Sequence, residues 1–148
     1  MRVFVLGGGY AGVTLTRTLE RRLPAEHEIR LIDDDGTQVL QHELHRVVRR
    51  PSLADDIAVD LETVIDRAHL EVGTVDAVRA EDRTAVVDGE EREYDACAVA
   101  IGAAPSTAVE GTAANGVPLK SLEDARRIHR RASDVLSGDG GRIVVGGA

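Results

Sequence analysis

The chain has 148 residues, 43% of them hydrophobic and 30% charged, which is the composition of a folded domain and excludes a disordered tail. Asp and Glu number 26 against 18 Lys and Arg, a net charge of −8, so the chain repels phosphate backbones and anionic lipid and nucleic acid is excluded as an expected partner. No apolar run approaches the ~20 residues that cross a bilayer, and the short run at residues 3–6 ends in glycines where a signal peptide would have its cleavage site, so a cytoplasmic protein is expected.

Residues 2–6 (RVFVL) are β-branched and apolar, as in a strand buried on both faces of a parallel sheet. Over residues 10–23 the period changes. Ala11, Leu15, Leu19 and Leu23 recur every four positions, with Arg17, Glu20, Arg21 and Arg22 mostly opposite, which predicts an amphipathic helix ended by Pro24. Residues 28–32 (EIRLI) predict a second strand, closed by Asp33-Asp34-Asp35-Gly36. Strand, glycine turn, helix and strand make a βαβ unit of the usual ~30 residues.

Residues 38–49 predict another helix, with Val39, Leu40, Leu44, Val47 and Val48 apolar and Pro51 as its stop, and residues 57–65 fit either strand or helix. Residues 71–79, 84–87 and 91–94 predict a small antiparallel meander, with Asp88-Gly89 as a two-residue hairpin turn. Residues 96–101 (ACAVAI) are a further buried strand, followed by a loop at 102–105. Residues 106–118, rich in Ala, Gly, Thr and Ser, read as linker. Ser121 is placed to cap a helix running to about Leu136, with Glu123 and Asp124 in its first turn, and residues 137–141 break it. Residues 142–148 (RIVVGGA) repeat the opening of the chain, a basic residue, a short apolar strand and paired glycines. The fold class expected is α/β, Rossmann-like, with a parallel sheet and a small antiparallel meander. The expected division is a nucleotide-binding segment at 1–105, linker and helix at 106–141, and at 142–148 the start of a second dinucleotide-binding domain, before whose completion the chain is cut.

Gly7-Gly8-Gly9-Tyr10-Ala11-Gly12 fits GxGxxG in the context that gives the pattern meaning: strand before, helix and second strand after. Gly7 permits the tight turn, Gly9 lets backbone approach a pyrophosphate, and Gly12 lets the helix pack closely. The N–H groups at the helix start, around Tyr10 and Ala11, face the phosphates. Asp33, 21 positions after Gly12 and with Asp34 beside it, ends the second strand. A carboxylate there accepts hydrogen bonds from the adenosine ribose hydroxyls and repels a 2′-phosphate. An ADP-containing ligand follows; FAD and NAD share that half, so the motif leaves both open.

The only cysteine, Cys97, lies in an apolar strand and reads as a small buried hydrophobe; no internal disulfide can form. His42 and His45 have no cysteine or third ligand near them, so no metal site is expected. Arg126, Arg127, Arg130 and Arg131 read as a solvated helix face. No side chain is nominated as catalytic.

Taken together, VLGGGYAG, LIDDD, ELHRV at 43–47, YDACAVAIGAAPS, VPLKSLEDA and RIVVGGA resemble the N-terminal FAD-binding segment of flavoproteins with two dinucleotide-binding domains. These are the pyridine nucleotide-disulfide oxidoreductase superfamily, and the resemblance is closest to type II NADH dehydrogenase-like proteins. It implies FAD as cofactor, NADH as the substrate of the full-length protein, and a quinone or another electron acceptor as partner. It places Val75 where the family's backbone brackets adenine, Ala100 and Gly102 where the chain passes close to the cofactor, and Glu43 and Leu44 near the flavin. The family often has Thr where this chain has Ile101, and its late Gly-Asp motif is absent, since Gly138-Asp139 follows a helix and precedes a second glycine turn. Residues 41–46 hold no cysteine pair of the disulfide reductase kind. Other readings stay open: a ferredoxin reductase or sulfide:quinone reductase of the same superfamily, or a non-catalytic module for NAD or another adenine nucleotide. A homodimer, and attachment to the inner face of a membrane through regions outside this chain, also stay open. With Lys120 its one lysine, the composition resembles proteins of halophilic archaea.

Overall fold

A computed structural model describes residues 1–105, 109–138 and 140–146. Its elements run β1 (Arg2–Leu6), α1 (Tyr10–Arg22), β2 (Glu28–Asp33), β3 (Thr37–Val39), α2 (Leu44–Arg49), β4 (Ala58–Asp60), β5 (His69–Val72), β6 (Val75–Arg79), β7 (Thr84–Val87), β8 (Glu90–Glu93), β9 (Ala96–Val99), α3 (Thr112–Asn115) and α4 (Leu122–Ser137). Short 3-10 turns occupy Gln41–Glu43, Pro51–Leu53, Asp55–Ile57 and Leu61–Thr63. The chain divides into two units, one of residues 1–38 and 59–103, the other of residues 39–58 and 104–148.

In the first unit the apolar strands form a parallel sheet in the order β5-β2-β1-β9. Alternation along the strands gives the sheet two apolar faces. Phe4, Leu6 and Ile32 pack against Ala85, Val87 and Tyr94, with the Phe4 and Tyr94 rings 5.8 Å apart. Val5 and Leu31, on the opposite face, pack against Val13 of α1 and Leu61. The meander β6-β7-β8 is antiparallel, as expected, and turns at Asp88 and Gly89, both with positive φ. That backbone suits the two central residues of a hairpin turn that matches strand twist.

The end of α1 is held from outside the helix. The Glu20 carboxylate accepts the backbone N–H groups of Asp66, Arg67 and Ala68 at 2.8, 2.8 and 2.9 Å. In return the Arg67 guanidinium donates to the carbonyls of Leu23 and His27 at 3.0 and 2.9 Å. Burial works against the charge of Glu20, but the three N–H groups and the Arg67 cation outweigh it and hold the carboxyl below the usual range.

In the second unit, Leu44 and Val47 of α2 pack with Ala54, Ile57 and Ala125 of α4. Ser121 caps α4 as expected, within a full capping box: its Oγ accepts the Asp124 N–H and the Asp124 carboxylate accepts the Ser121 N–H, both at 3.1 Å. Arg126, Arg127, Arg130 and Arg131 are exposed. Among the described residues no helix is long and apolar enough to cross a membrane.

Four expectations are corrected. The buried strand expected over 96–101 is β9 at 96–99 alone, at the edge of the sheet, with Val99 and Ile101 59% and 64% exposed. The helix expected at 38–49 is α2 alone, six residues long, preceded by β3 and a 3-10 turn. Leu40 sits at φ −72, ψ 81, outside the helical region, and its N–H bonds the Ile57 carbonyl at 2.9 Å. The strand expected over 71–79 is two strands. β5 pairs with β2 in the parallel sheet, and β6 joins the meander after a break at Gly73 and Thr74. Residues 142–146 form no strand, and Ile143, Val144 and Val145 are 55%, 81% and 91% exposed, since a strand needs a neighbour to satisfy its backbone. Gly147 and Ala148, which complete the second glycine turn, and residues 106–108 of the linker lie outside the described residues. Residues 57–65, ambiguous in sequence, hold β4 between two 3-10 turns.

Candidate functional site

β1 ends at Gly7, whose φ of +101° is a conformation that side chains rarely adopt. Its N–H bonds the Ile32 carbonyl at 2.7 Å, which ties the turn to β2. The other glycines have different jobs. A Cβ on Gly12 would lie 1.8 Å from the Gly7 carbonyl oxygen, so glycine is what lets the first turn of α1 rest directly on the β1–α1 turn. A Cβ on Gly9 would meet nothing within 4 Å. Fold packing therefore sets the residue at 12 and leaves the residue at 9 free for another requirement. Gly9 is also the N-cap of α1, without a side-chain cap, and the first turn, where Tyr10 and Ala11 lie, carries no acidic residue. The positive end of this helix is left without a carboxylate in its own first turn, which suits an anion.

Asp33 stands at the C-terminal end of β2. Its Oδ2 accepts the Gly8 N–H at 2.6 Å and its Oδ1 accepts the Gly36 N–H at 3.1 Å. It thus staples the glycine turn to the turn after β2, a role that the motif does not reveal. A carboxylate offers about four lone-pair sites, so acceptor capacity remains for ribose hydroxyls. Asp33, Asp34 and Asp35 bring carboxylate oxygens within 4.8 Å of one another. Lost hydration, then the neighbouring charges of Asp33 and Asp34, raise Asp35 above the usual range against the N–H of Thr37.

Gly7, Ile32, Asp33, Asp34, Gly73, Thr74, Val75 and Ile101 line a cavity of about 210 Å³ at the C-terminal ends of the central strands. β1 continues through α1 to β2 on one side and pairs with β9 on the other, so the cavity lies where the strand order reverses, the usual ligand position in open α/β sheets. It is smaller than the roughly 300–1,000 Å³ of a complete small-molecule pocket, which suits one part of a dinucleotide.

Of the residues singled out in sequence, Gly7, Asp33, Asp34 and Val75 meet in this cavity, and Gly9, Tyr10, Ala11 and Gly12 continue from Gly7 along the turn into α1. The Ala100 N–H bonds the Leu6 carbonyl at 2.7 Å, its own carbonyl abuts Gly7, and Gly102 turns with φ +74°. Glu43 and Leu44 belong to the second unit and are not among the lining residues. Glu43 pairs with Arg46 at 2.8 Å, a hydrogen bond that lowers its pKa, while Leu44 is 1% exposed in that unit's core, which leaves only its backbone for a ligand. Cys97 is half-buried on β9, and burial pushes its thiol up, which makes it a poor nucleophile. Sequence reasoning missed Ile32, Gly73, Thr74 and Ile101 as lining residues. Gly73 had a signal: an isolated glycine in a strand pattern marks a break or a close backbone approach.

The sequence pattern of the pyridine nucleotide-disulphide oxidoreductase family matches residues 1–148. The chain belongs to this family. Solved structures with the same fold include the sulfide:quinone oxidoreductase of Aquifex aeolicus, 20% identical, with a TM-score of 0.81 over 93% of this chain and 33% of that one. A NAD-dependent persulfide reductase of A. fulgidus is 24% identical, with a TM-score of 0.72 over 90% of this chain and 28% of that one. The NDH2 of Plasmodium falciparum, solved in complex with NADH, is 16% identical, with a TM-score of 0.74 over 91% of this chain and 29% of that one. The chain spans about a third or less of the length of these oxidoreductases. Among curated proteins, none matches it.

Proposed function

We propose that this chain binds the ADP half of FAD in an NADH-oxidising flavoprotein of the family, with a quinone or another electron acceptor. The observation that carries the reading is the contrast at the glycine turn: Gly12 is required by packing, whereas Gly9 borders open space beside an uncapped helix start. Open backbone beside the positive end of a helix suits a pyrophosphate. Asp33 keeps lone pairs for the ribose, and the remaining wall of the cavity, at residues 73–75, is left for the base. The Ala100 and Gly102 turn then borders the cofactor on the β9 side.

When bound, FAD would supply the redox chemistry, hydride acceptance from NADH and electron delivery to the acceptor, with Gly9, the start of α1 and Asp33 holding its ADP half. The residues of this chain bind and orient; none needs to act as acid, base or nucleophile. Isolated from its source at native length, the protein should be yellow and should lose flavin absorbance when NADH is added. A colourless protein that binds NAD overturns the reading in favour of a non-catalytic nucleotide module. Flavin reduced by sulfide in place of NADH assigns it to a different reductase of the family.

A further inference from the structure

We propose that Asp88, in the turn between β7 and β8, is a positioning residue that fixes the 73–75 wall of the cavity and so sets its preference for an adenine base. The proposal rests on the nucleotide-binding reading above.

Residues 73 and 74 connect the parallel sheet to the meander, and two anchors hold them. The Gly73 N–H donates to the main-chain carbonyl of Asp33 at 2.9 Å, which fixes residue 73 to the end of β2. The Thr74 N–H donates to Asp88 Oδ1 at 2.9 Å, and the Asp88 N–H donates back to the Thr74 carbonyl at 3.0 Å. Val75 then pairs with Val87, the residue before Asp88. A Cβ on Gly73 would lie 2.6 Å from Asp88 Oδ2 and 2.8 Å from Val87 Cγ1, so glycine at 73 is what admits the turn to this position.

The turn itself does not call for this carboxylate. Asp88 and Gly89 have φ of 50° and 78°, a backbone equally suited to Asn-Gly, and the Gly89 N–H is already accepted by Asp76 Oδ2 at 2.8 Å. The Asp88 carboxylate is spent on the cavity wall. With phosphate assigned to the glycine turn and ribose to Asp33, the moiety that meets this wall is the base. A wall anchored at residues 73 and 74 keeps one shape, and that shape discriminates between bases only while it is held still.

The test uses the 148-residue chain, its Asp88→Ala and Asp88→Asn variants, and two probes, ADP and CDP, with affinities from titration. In Asp88→Ala the preference for ADP over CDP should fall by about five- to tenfold, the loss of one hydrogen bond, while Asp88→Asn, which still presents an acceptor, should keep it within about twofold. Amide exchange of Thr74 in the nucleotide-free chain should accelerate by about tenfold in Asp88→Ala and stay near wild type in Asp88→Asn. Equal losses for ADP and CDP overturn the proposal, because they report general loosening of the fold. Unchanged Thr74 exchange in a folded Asp88→Ala also overturns it. A wild-type chain that binds neither nucleotide overturns the functional reading and the base-selecting role together, and Thr74 exchange then decides whether Asp88 fixes the wall at all.

Discussion

Replacing Gly12 and Gly9 by alanine should separate folding from binding within one hexapeptide. At Gly12 the added Cβ lies 1.8 Å from the Gly7 carbonyl oxygen and 3.0 Å from its carbonyl carbon. Real Cβ contacts stay beyond 3.0 Å, so the helix start or the turn must retreat by roughly 1.2 Å, and the atom in the way is backbone. Overpacking of this kind costs about 1–3 kcal/mol, and a backbone clash this deep belongs at the upper end. Better helix propensity of Ala over Gly returns no more than about 1 kcal/mol. A net loss of about 2 kcal/mol lowers the melting temperature of a domain this size by roughly 4–8 °C. At Gly9 the Cβ meets nothing within 4 Å and the φ of −70° suits any residue, so Gly9→Ala should stay within about 1 kcal/mol of wild type. Its methyl group stands where a pyrophosphate would approach, and ADP affinity should fall at least about tenfold, a loss of about 1.4 kcal/mol. Thermal melts and ADP titration of the two variants read both effects. A Gly12→Ala chain that melts with wild type refutes the packing argument, and a Gly9→Ala chain that binds ADP normally refutes the phosphate site.

Asp33→Ala should weaken ADP binding by about 1.5–3 kcal/mol through the lost ribose bonds, and should also lower the melting temperature, because the staple between Gly8 and Gly36 goes with it. Binding that is unchanged in titration makes Asp33 a staple only. Glu20 has a depressed pKa in the fold, so its contribution is present above the ordinary Glu pKa of about 4.3 and is lost as pH falls below it. Melting temperature against pH should therefore drop on the acid side in wild type, and Glu20→Gln should be less stable near neutrality with a shallower acid drop. Parallel curves for the two proteins contradict the clamp at the end of α1.

Much of the local structure was legible in the sequence because these elements follow from local chemistry. β-branched runs, the glycine spacing and Pro24 define β1, α1 and β2, and Ser121 with Asp124 defines the start of α4. What was not legible depends on contacts distant in sequence. The division of residues 71–79 is decided by the Gly73 N–H meeting the Asp33 carbonyl, and periodicity carries no record of a partner 40 residues away. Residues 38–49 are apolar enough for a helix, yet the bond from Leu40 to Ile57 draws their first part away from one. At the site, spacing located Gly7 and Asp33 and the family resemblance placed Val75, but neither showed the second duty of Asp33 or the reach of Asp88, since a carboxylate in a turn looks the same whether it caps the turn or holds its neighbour.

The proposed function makes the ADP half of a dinucleotide the part that this chain recognises. Calorimetric titration of the 148-residue chain with ADP and with FAD tests it most directly. Gly9, the start of α1 and Asp33 are assigned to the ADP half, so both ligands should bind weakly and with affinities within about tenfold of each other. FAD that binds tightly while ADP does not bind at all contradicts the account, because recognition would then lie with the flavin and away from Gly9 and Asp33.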